Sequence, residues 1–498
     1  GNGNTALRGG YSIHYVNDEA IAAVDNNSDT NEGLIGFGTV VDSRSFASSP
    51  QKISQPAFQI PTTYADNYAN DPTNALGLIN PHLKTPYVQE WSIGLQQKIK
   101  NTIVEARYVG NHGVQEIRAF DFNQVQFNNA GFLADFLRAQ SNGNLALART
   151  GTFNPAYNRN IPGSQVLTVF PLLAGGGSFN DSNVLADISE GQVAELASYY
   201  QINGLNGKLN FFQNPNALGT NYLTNFSNSS YNALQIDVRH RVESGLYLQA
   251  NYTFSRVLSD ADGNQQTRFD PFLNVFNGGI ERARAPFDIT HVFHLNASYD
   301  LPMGKGHLLS GGRVFRRVLE GWTVSTVTMW QSGMPFSILS GLGTFNRATS
   351  SRSRYNTATS IVSGSALNDI VKFQMTGNGP YDVAQSAISA ANDGRGVAPF
   401  GDPAFTGEVF FNPAAGTVGA LQRRMFTGPN VFNADASLIK NTKITEHQSL
   451  EFRADSFNVF NHPAFAASDQ NVNSTTFGQI VGTVNDRRVI QFGLNYQF

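Results

Sequence analysis

The sequence predicts an all-β chain: part of an antiparallel transmembrane β-barrel, about ten strands in an up-and-down meander with long loops. Three observations carry that expectation. The last ten residues, Val489-Ile490-Gln491-Phe492-Gly493-Leu494-Asn495-Tyr496-Gln497-Phe498, alternate apolar and polar and end on an aromatic. Ile490, Phe492, Leu494, Tyr496 and Phe498 fall on one face, Gln491, Gly493, Asn495 and Gln497 on the other. That is the pattern of a strand with lipid on one side and a wet lumen on the other. The composition agrees: charged residues are only 14% of the 498, aromatics 11%, and Phe alone numbers 37, which favours strands over helices. Finally, the connections between candidate strands alternate short and long.

The first strand is expected over residues 5–16, where Leu7, Gly9, Tyr11, Ile13 and Tyr15 oppose Arg8, Ser12 and His14. The second spans 87–99, with Trp91, Ile93 and Leu95 on one face, and the third 102–110, with Val104, Ala106 and Tyr108 against Glu105 and Arg107. The fourth spans 231–240, where Leu234, Ile236 and Val238 oppose Gln235, Asp237 and Arg239. The fifth, 245–256, has the cleanest alternation, Leu246 to Phe254 against Tyr247 to Ser255. The sixth, 290–301, sets Phe293, Leu295, Ala297 and Tyr299 against His294, Asn296, Ser298 and Asp300. The seventh, 322–331, has ambiguous facing. The eighth is 433–442, with Ala434, Ala436 and Leu438 outward, and the ninth 449–460, with Glu451, Arg453 and Asp455 on its polar face and a slip near Ser456. The closing strand is the tenth. Each has about the length of a tilted membrane-crossing strand.

Strands two and three are joined by little more than Lys100-Asn101, four and five by 241–244, eight and nine by 443–448. The others are long: 17–86, 111–230, 257–289, 332–432 and 461–488. Outer-membrane barrels have this asymmetry, with short periplasmic turns and long extracellular loops. The even strand count then places both termini in the periplasm. The connection 302–321, with Arg313, Arg316 and Arg317, is intermediate in length and falls on the short side. Tyr15, Trp91, Tyr108, Tyr231, Phe254 and Trp330 fall at outer strand ends, and Tyr299, Trp322 and Phe498 at inner ends, as two aromatic girdles would. Within the long loops, residues 131–140 and 183–201 have helical apolar spacing, and 203–222 reads as irregular.

A net charge of −3 gives no basic footprint for nucleic acid. The absence of Cys excludes thiol catalysis, disulfides and Cys-ligated metals. No apolar run is long enough for a transmembrane helix. The chain begins at Gly1, without Met or a signal-peptide pattern, and is read as a fragment.

The polar faces carry near-neighbour charges: Glu105 with Arg107, Asp237 with Arg239, and Glu451 with Arg453 and Asp455. They are assigned to the lumen wall, as a hydrated, charge-balanced surface rather than a catalytic set. His291 and His294, three apart, fall on opposite faces of a strand and make a poor metal pair. Asp260-Ala261-Asp262-Gly263-Asn264 begins like a calcium loop but lacks Gly at position six and Glu at twelve. Gly175-Gly176-Gly177 and Gly304-Lys305-Gly306 read as turns, without the helix a phosphate loop needs. Trp330-Gln331-Ser332-Gly333-Met334-Pro335 reads as a strand end. No catalytic constellation, cofactor or metal site is expected.

Several stretches in order carry a family resemblance: Leu7-Arg8-Gly9-Gly10-Tyr11, Pro86-Tyr87-Val88-Gln89-Glu90-Trp91, Tyr108-Val109-Gly110-Asn111-His112-Gly113 and Tyr231-Asn232-Ala233-Leu234-Gln235. Ala250-Asn251-Tyr252-Thr253-Phe254-Ser255, Phe287-Asp288-Ile289-Thr290-His291, Phe457-Asn458-Val459-Phe460-Asn461-His462-Pro463 and the closing strand follow. Across its whole length the chain resembles the C-terminal part of TonB-dependent outer-membrane receptors, in particular the Oar-like branch. The resemblance implies the last ten strands of a 22-stranded barrel, with plug and TonB-contacting segment absent from this sequence. It implies a function in uptake of a scarce ligand such as a siderophore, oligosaccharide or peptide. The alternative is a structural or adhesion barrel whose loops bind partners without transport, and an outer-membrane enzyme ranks last. The implied partners are outer-membrane lipid, an extracellular ligand, and the barrel-assembly machinery through Phe492, Leu494, Tyr496 and Phe498. TonB would be reached only through the missing N-terminal part, and the protein would be a monomer.

Overall fold

A computed structural model describes residues 3–15, 75–242, 245–260, 272–303, 318–347, 356–389 and 394–498, with isolated positions between 24 and 73. Ten long strands form one sheet and neighbour each other in chain order. They are β1 (Thr5–Tyr15), β2 (Tyr87–Ile99), β3 (Thr102–Asp121), β4 (Gly219–Arg241), β5 (Leu246–Ser259), β6 (His291–Asp300), β7 (Trp322–Gln331), β8 (Val431–Lys443), β9 (Ser449–Phe457) and β10 (Val489–Gln497). All nine pairings are antiparallel. The expected meander is present, and β2 and β7 have the expected bounds. Among the described residues, no pairing joins β1 to β10, so each has one ladder edge without a strand neighbour.

Opposed residues in an antiparallel ladder share a face, so the register sorts the sheet into two sides. One row across seven strands reads Leu95, Ala106, Ile236, Tyr252, Phe293, Trp330, Phe432. The next row, one residue on, reads Gln96, Glu105, Asp237, Asn251, His294, Met329, Asn433. The ambiguous β7 is thereby resolved: Trp330 stands opposite Phe293 on the apolar side. Among the described residues, none covers that side. Ile93 is 56% exposed and Phe492 70%, as lipid-facing side chains are.

Three expectations need correction. First, β3 and β4 do not stop at 110 and begin at 231. They run on as a paired extension to Asp121 and from Gly219. The alternation fails there because the register shifts between Gly113 and Glu116 and again between Glu116 and Arg118, bulges marked by Gln115 at φ 58°. Second, Ala75–Ile79, expected as loop, is a short strand that pairs in parallel with Gly219–Leu223 of β4, a departure from a pure meander. Third, β9 ends at Phe457, not 460. The slip is a chain turn at Asn458, φ 50°.

The long connections fold. Residues 122–218 build α1 (Phe132–Thr150), α2 (Ser182–Ser189) and α3 (Val193–Ile202) around a core of Phe132, Phe136, Phe170, Leu196 and Phe211. The expected helical stretches are real, though α1 runs ten residues further, ending at Thr150 rather than 140. Residues of 336–347, 356–389 and 394–426 pack with 472–477 in a second core around Phe410, Val383 and Phe477. The Gly175-Gly176-Gly177 segment is a turn, as expected, with Gly175 and Gly176 at φ 62°. A helix does follow it, α2, but Asp181 accepts the Asn183 N–H at 2.8 Å and fills the place an anion would take. Residues 261–264, 304–306, 313, 316 and 317 lie outside the described residues.

Candidate functional site

The polar side of the sheet carries a continuous groove. Its lower part, a cavity of about 280 Å³, is lined by Glu105, Arg107, Asp237, Arg239, Gln249 and Asn251. Four of the expected lumen-wall residues therefore meet. Glu105 stands directly opposite Asp237, a repulsive placement on its own. Each is relieved by a cation two residues along its strand. Arg239 Nε lies 2.7 Å from Asp237 Oδ1 and Arg107 Nε 3.9 Å from Glu105 Oε1. Glu451, Arg453 and Asp455 lie on β9, four strands from β5, and are not part of this cluster. Arg453 pairs with Asp455 at 3.3 Å, and Glu451 faces Asn495 of β10. Of the assembly-signal residues, Phe492, Leu494 and Tyr496 share the apolar face of β10, and Phe498 lies past its last paired residue.

The upper part of the groove is a larger cavity of about 590 Å³ that shares Gln235 and Thr253 with the lower one. Asn111, Tyr231, Gln235, Thr253, Ser255 and His294 of the strands line it, together with Pro286 and Phe287 of the segment before β6. Sequence reasoning missed this set. It assigned Tyr231 to the lipid girdle, but Tyr231 opposes Asn111 and Val257 and lines the cavity. The signal was available: 231 shares parity with the polar positions 235, 237 and 239. His291 and His294 do fall on opposite faces, His291 beside Phe254 and Trp330, His294 in the cavity. Among the described residues no cluster of His, Asp and Glu could hold a metal ion.

The segment before β6 is fastened to strand and loops alike. Asp288 Oδ1 accepts the Val257 N–H of β5 at 2.7 Å, and its other oxygen takes Arg284 Nε at 2.7 Å. Arg284 also donates to Thr427 Oγ1 at 2.8 Å, and Arg424 donates to the Arg284 carbonyl. Arg423 pairs with Glu281, both almost wholly buried. Further out, the Gly343 N–H donates to Gln192 Oε1 at 2.7 Å, and the Ala194 N–H to the Gly343 carbonyl at 3.0 Å. The loop cores are thus joined in one cap. Buried ion pairs of this kind add little net stability but are costly to break.

A two-faced ten-strand meander with an exposed apolar side and a capped polar groove is an outer-membrane architecture. The family comparison decides it: residues 1–491 match the outer membrane beta barrel domain. The chain belongs to that family. It is an outer-membrane domain that crosses the bilayer on its strands. No curated protein matches the chain. Among solved structures, the outer membrane transporter YddB from Escherichia coli is similar at 10% identity and TM-score 0.38, covering 100% of this chain and 38% of its own. The ferric-catecholate import receptor Fiu from E. coli is similar at 7% identity and TM-score 0.33, covering 99% and 33%. The siderophore receptor PirA from Acinetobacter baumannii is similar at 10% identity and TM-score 0.32, covering 85% and 33%. This outer-membrane β-barrel domain therefore spans little more than a third of the length of the first of these proteins.

Proposed function

We propose that this domain is the barrel part of an outer-membrane transport receptor that takes up a scarce ligand with energy delivered through TonB. One observation carries the reading: an uncharged cavity of about 590 Å³, lined by both hydrogen-bonding and apolar side chains, lies where the sheet meets the fastened loops. The long-loop side is extracellular in this reading, and both termini are periplasmic. The ten strands form the C-terminal part of a 22-stranded barrel of the Oar-like branch, and contact with TonB comes from a segment outside this sequence. The free edges of β1 and β10 support a larger barrel, because ladder edges left open in lipid cost several kcal/mol per group. The Glu105, Arg107, Asp237, Arg239 and Glu451, Arg453, Asp455 groups line its lumen. The role is binding and passage, not catalysis.

The test is deletion of the whole gene in its host, followed by uptake assays with and without a protonophore. Uptake that disappears on deletion and on collapse of the proton gradient supports the proposal. Unchanged, gradient-independent uptake would sink it, and loss of surface attachment alone would favour the adhesion barrel.

A further inference from the structure

The upper cavity differs chemically from the groove below it. Its lining holds no Asp, Glu, Lys or Arg. The charges of the lower cavity are committed to one another, Arg239 to Asp237 and Arg107 to Glu105. A carboxylate, catecholate or hydroxamate chelate desolvated in the upper cavity would find no cation against it, a costly placement. Uncharged hydrogen-bonding groups share the lining with the apolar Val257, Ala285, Pro286, Ile289 and Val292. The side chains of Asn111, Tyr231, Gln235, Thr253 and His294 converge there. Ser255 and Ser229 are already engaged, with the Ile289 carbonyl and with Glu116. The other five have no hydrogen bond among the described residues and stand ready for a ligand.

Two aromatic rings complete the lining. Phe287 is 52% exposed, on the segment that Asp288 and Arg284 fasten, and it lines the cavity together with Tyr231 of β4. Electron-rich ring faces accept the weakly positive C–H faces of a pyranose, while amides and hydroxyls pair with its hydroxyls. The volume lies within the roughly 300–1,000 Å³ range of small-ligand sites. Resting on the transport-receptor reading above, we infer that the ligand is a neutral saccharide, held against Phe287 and Tyr231 by Asn111, Gln235, Thr253 and His294. The inference narrows the ligand classes to one and sets the ferric chelates aside.

The test uses the full-length protein from its gene, purified in detergent. It is probed on an array of neutral, uronic-acid-bearing and sulfated oligosaccharides, and by titration with ferric catecholate and ferric hydroxamate chelates and with oligopeptides. Neutral oligosaccharides should bind, with affinity unchanged by salt. Gln235→Leu and Phe287→Ala should each weaken binding about tenfold, the loss of one good contact. Phe287 lies outside the strands, so its variant reports on the site even where Gln235→Leu disturbs the ladder. Neutral-sugar binding that both variants leave intact would overturn the assignment of the site. Salt-sensitive binding of a chelate or an acidic sugar would overturn the ligand class while leaving the receptor reading standing. Binding of none of these classes would overturn both.

Discussion

Arg347 and Asp121, 226 positions apart in the chain, meet with Nη2 3.1 Å from Oδ2, and both are almost wholly buried. Asp121 ends β3, and its other oxygen takes the Thr220 and Asn123 N–H groups at 2.7 and 3.0 Å. One carboxylate thus binds the tip of the strand pair to the loop after β7. Asp121→Ala strips a buried guanidinium of its carboxylate, a change that costs roughly 3–5 kcal/mol. The loss should appear as faster proteolysis and hydrogen exchange in 336–347. Heat-modifiable migration in detergent gels should persist, because the membrane ladder is untouched. Protection of 336–347 equal to wild type would refute the latch.

Asp135 in α1 is a second buried anchor. Its carboxylate accepts the N–H groups of Thr168, Val169 and Phe170 at 2.7–3.0 Å and Arg138 Nη1 at 2.6 Å. Burial alone would raise its pKa, but the N–H groups of Phe170, Thr168 and Val169, with Arg138, hold it below the usual value. Asp135→Ala leaves those donors without their acceptor, at a cost of roughly 3 kcal/mol. Thermal melting followed by near-ultraviolet circular dichroism should reveal early loss of the 122–218 core, and an unshifted melt would count against it.

The cap should be less stable in mildly alkaline solution than in acid. Burial pushes the Asp187 carboxyl up to about 8, helped by Glu195, Glu190 and Asp181. Burial pushes Asp382 up to about 6. A carboxyl whose pKa is raised by folding stabilises fully below the unfolded value. That stability is lost as pH rises through the folded value. The fall should therefore run from near 3.8 to about 6 for Asp382 and on to about 8 for Asp187. Asp187→Asn mimics the neutral form and should flatten the slope between pH 6 and 8 in proteolysis half-lives. A slope equal to wild type would exclude Asp187 as its source.

On the apolar side, Trp91 opposes Gly110 and lies across it. A Cβ at Gly110 would stand 2.7 Å from Trp91 Cζ2 and nearer still to Nε1. Gly110→Val should displace the indole and cost about 1–3 kcal/mol, measured by denaturant unfolding in micelles with Trp fluorescence. Trp91→Ala should relieve most of that cost in the double variant. Additive losses would mean the two do not touch in lipid.

Phe498 lies one residue past the β10 ladder and is 92% exposed, its ring stacked on Tyr496 at 5.9 Å. Deleting Phe498 should leave refolding in micelles unchanged and lower the yield of assembled protein in cells. A loss of refolding in vitro would make it a structural residue rather than a recognition signal.

The membrane ladder was readable because lipid on one side and water on the other force a period of two. Val104, Ala106 and Tyr108 could not fall elsewhere. Past residue 110 that force ends. Val114 to Phe120 pair as strand in a wet setting where bulges at Gly113 and Glu116 erase the alternation. Tyr231 was misassigned because an aromatic at a strand end suits a girdle, although parity placed it inward. Asp121, Glu281, Arg347 and Arg423 fall within the long connections, outside every pattern the sequence offers. Their pairing spans more than 140 positions, and no local pattern encodes it. The lumen charges Glu105, Arg107, Asp237 and Arg239 were legible as pairs within strands, but their meeting across the ladder depends on register.

The paired extension of β3 and β4 has a mechanical meaning. At roughly 3.3 Å per residue, residues 115–121, which run past the last pairing with β2 at Val114, carry the ladder about 23 Å beyond that neighbour. The helices of 122–218 hang from the top of that mast, not from a flexible tether. The height at which the protein meets its surroundings is then a length written in backbone hydrogen bonds. Shortening the extension in register would lower the cap towards the lipid headgroups, and only a cut that keeps the tip keeps the Asp121–Arg347 pair.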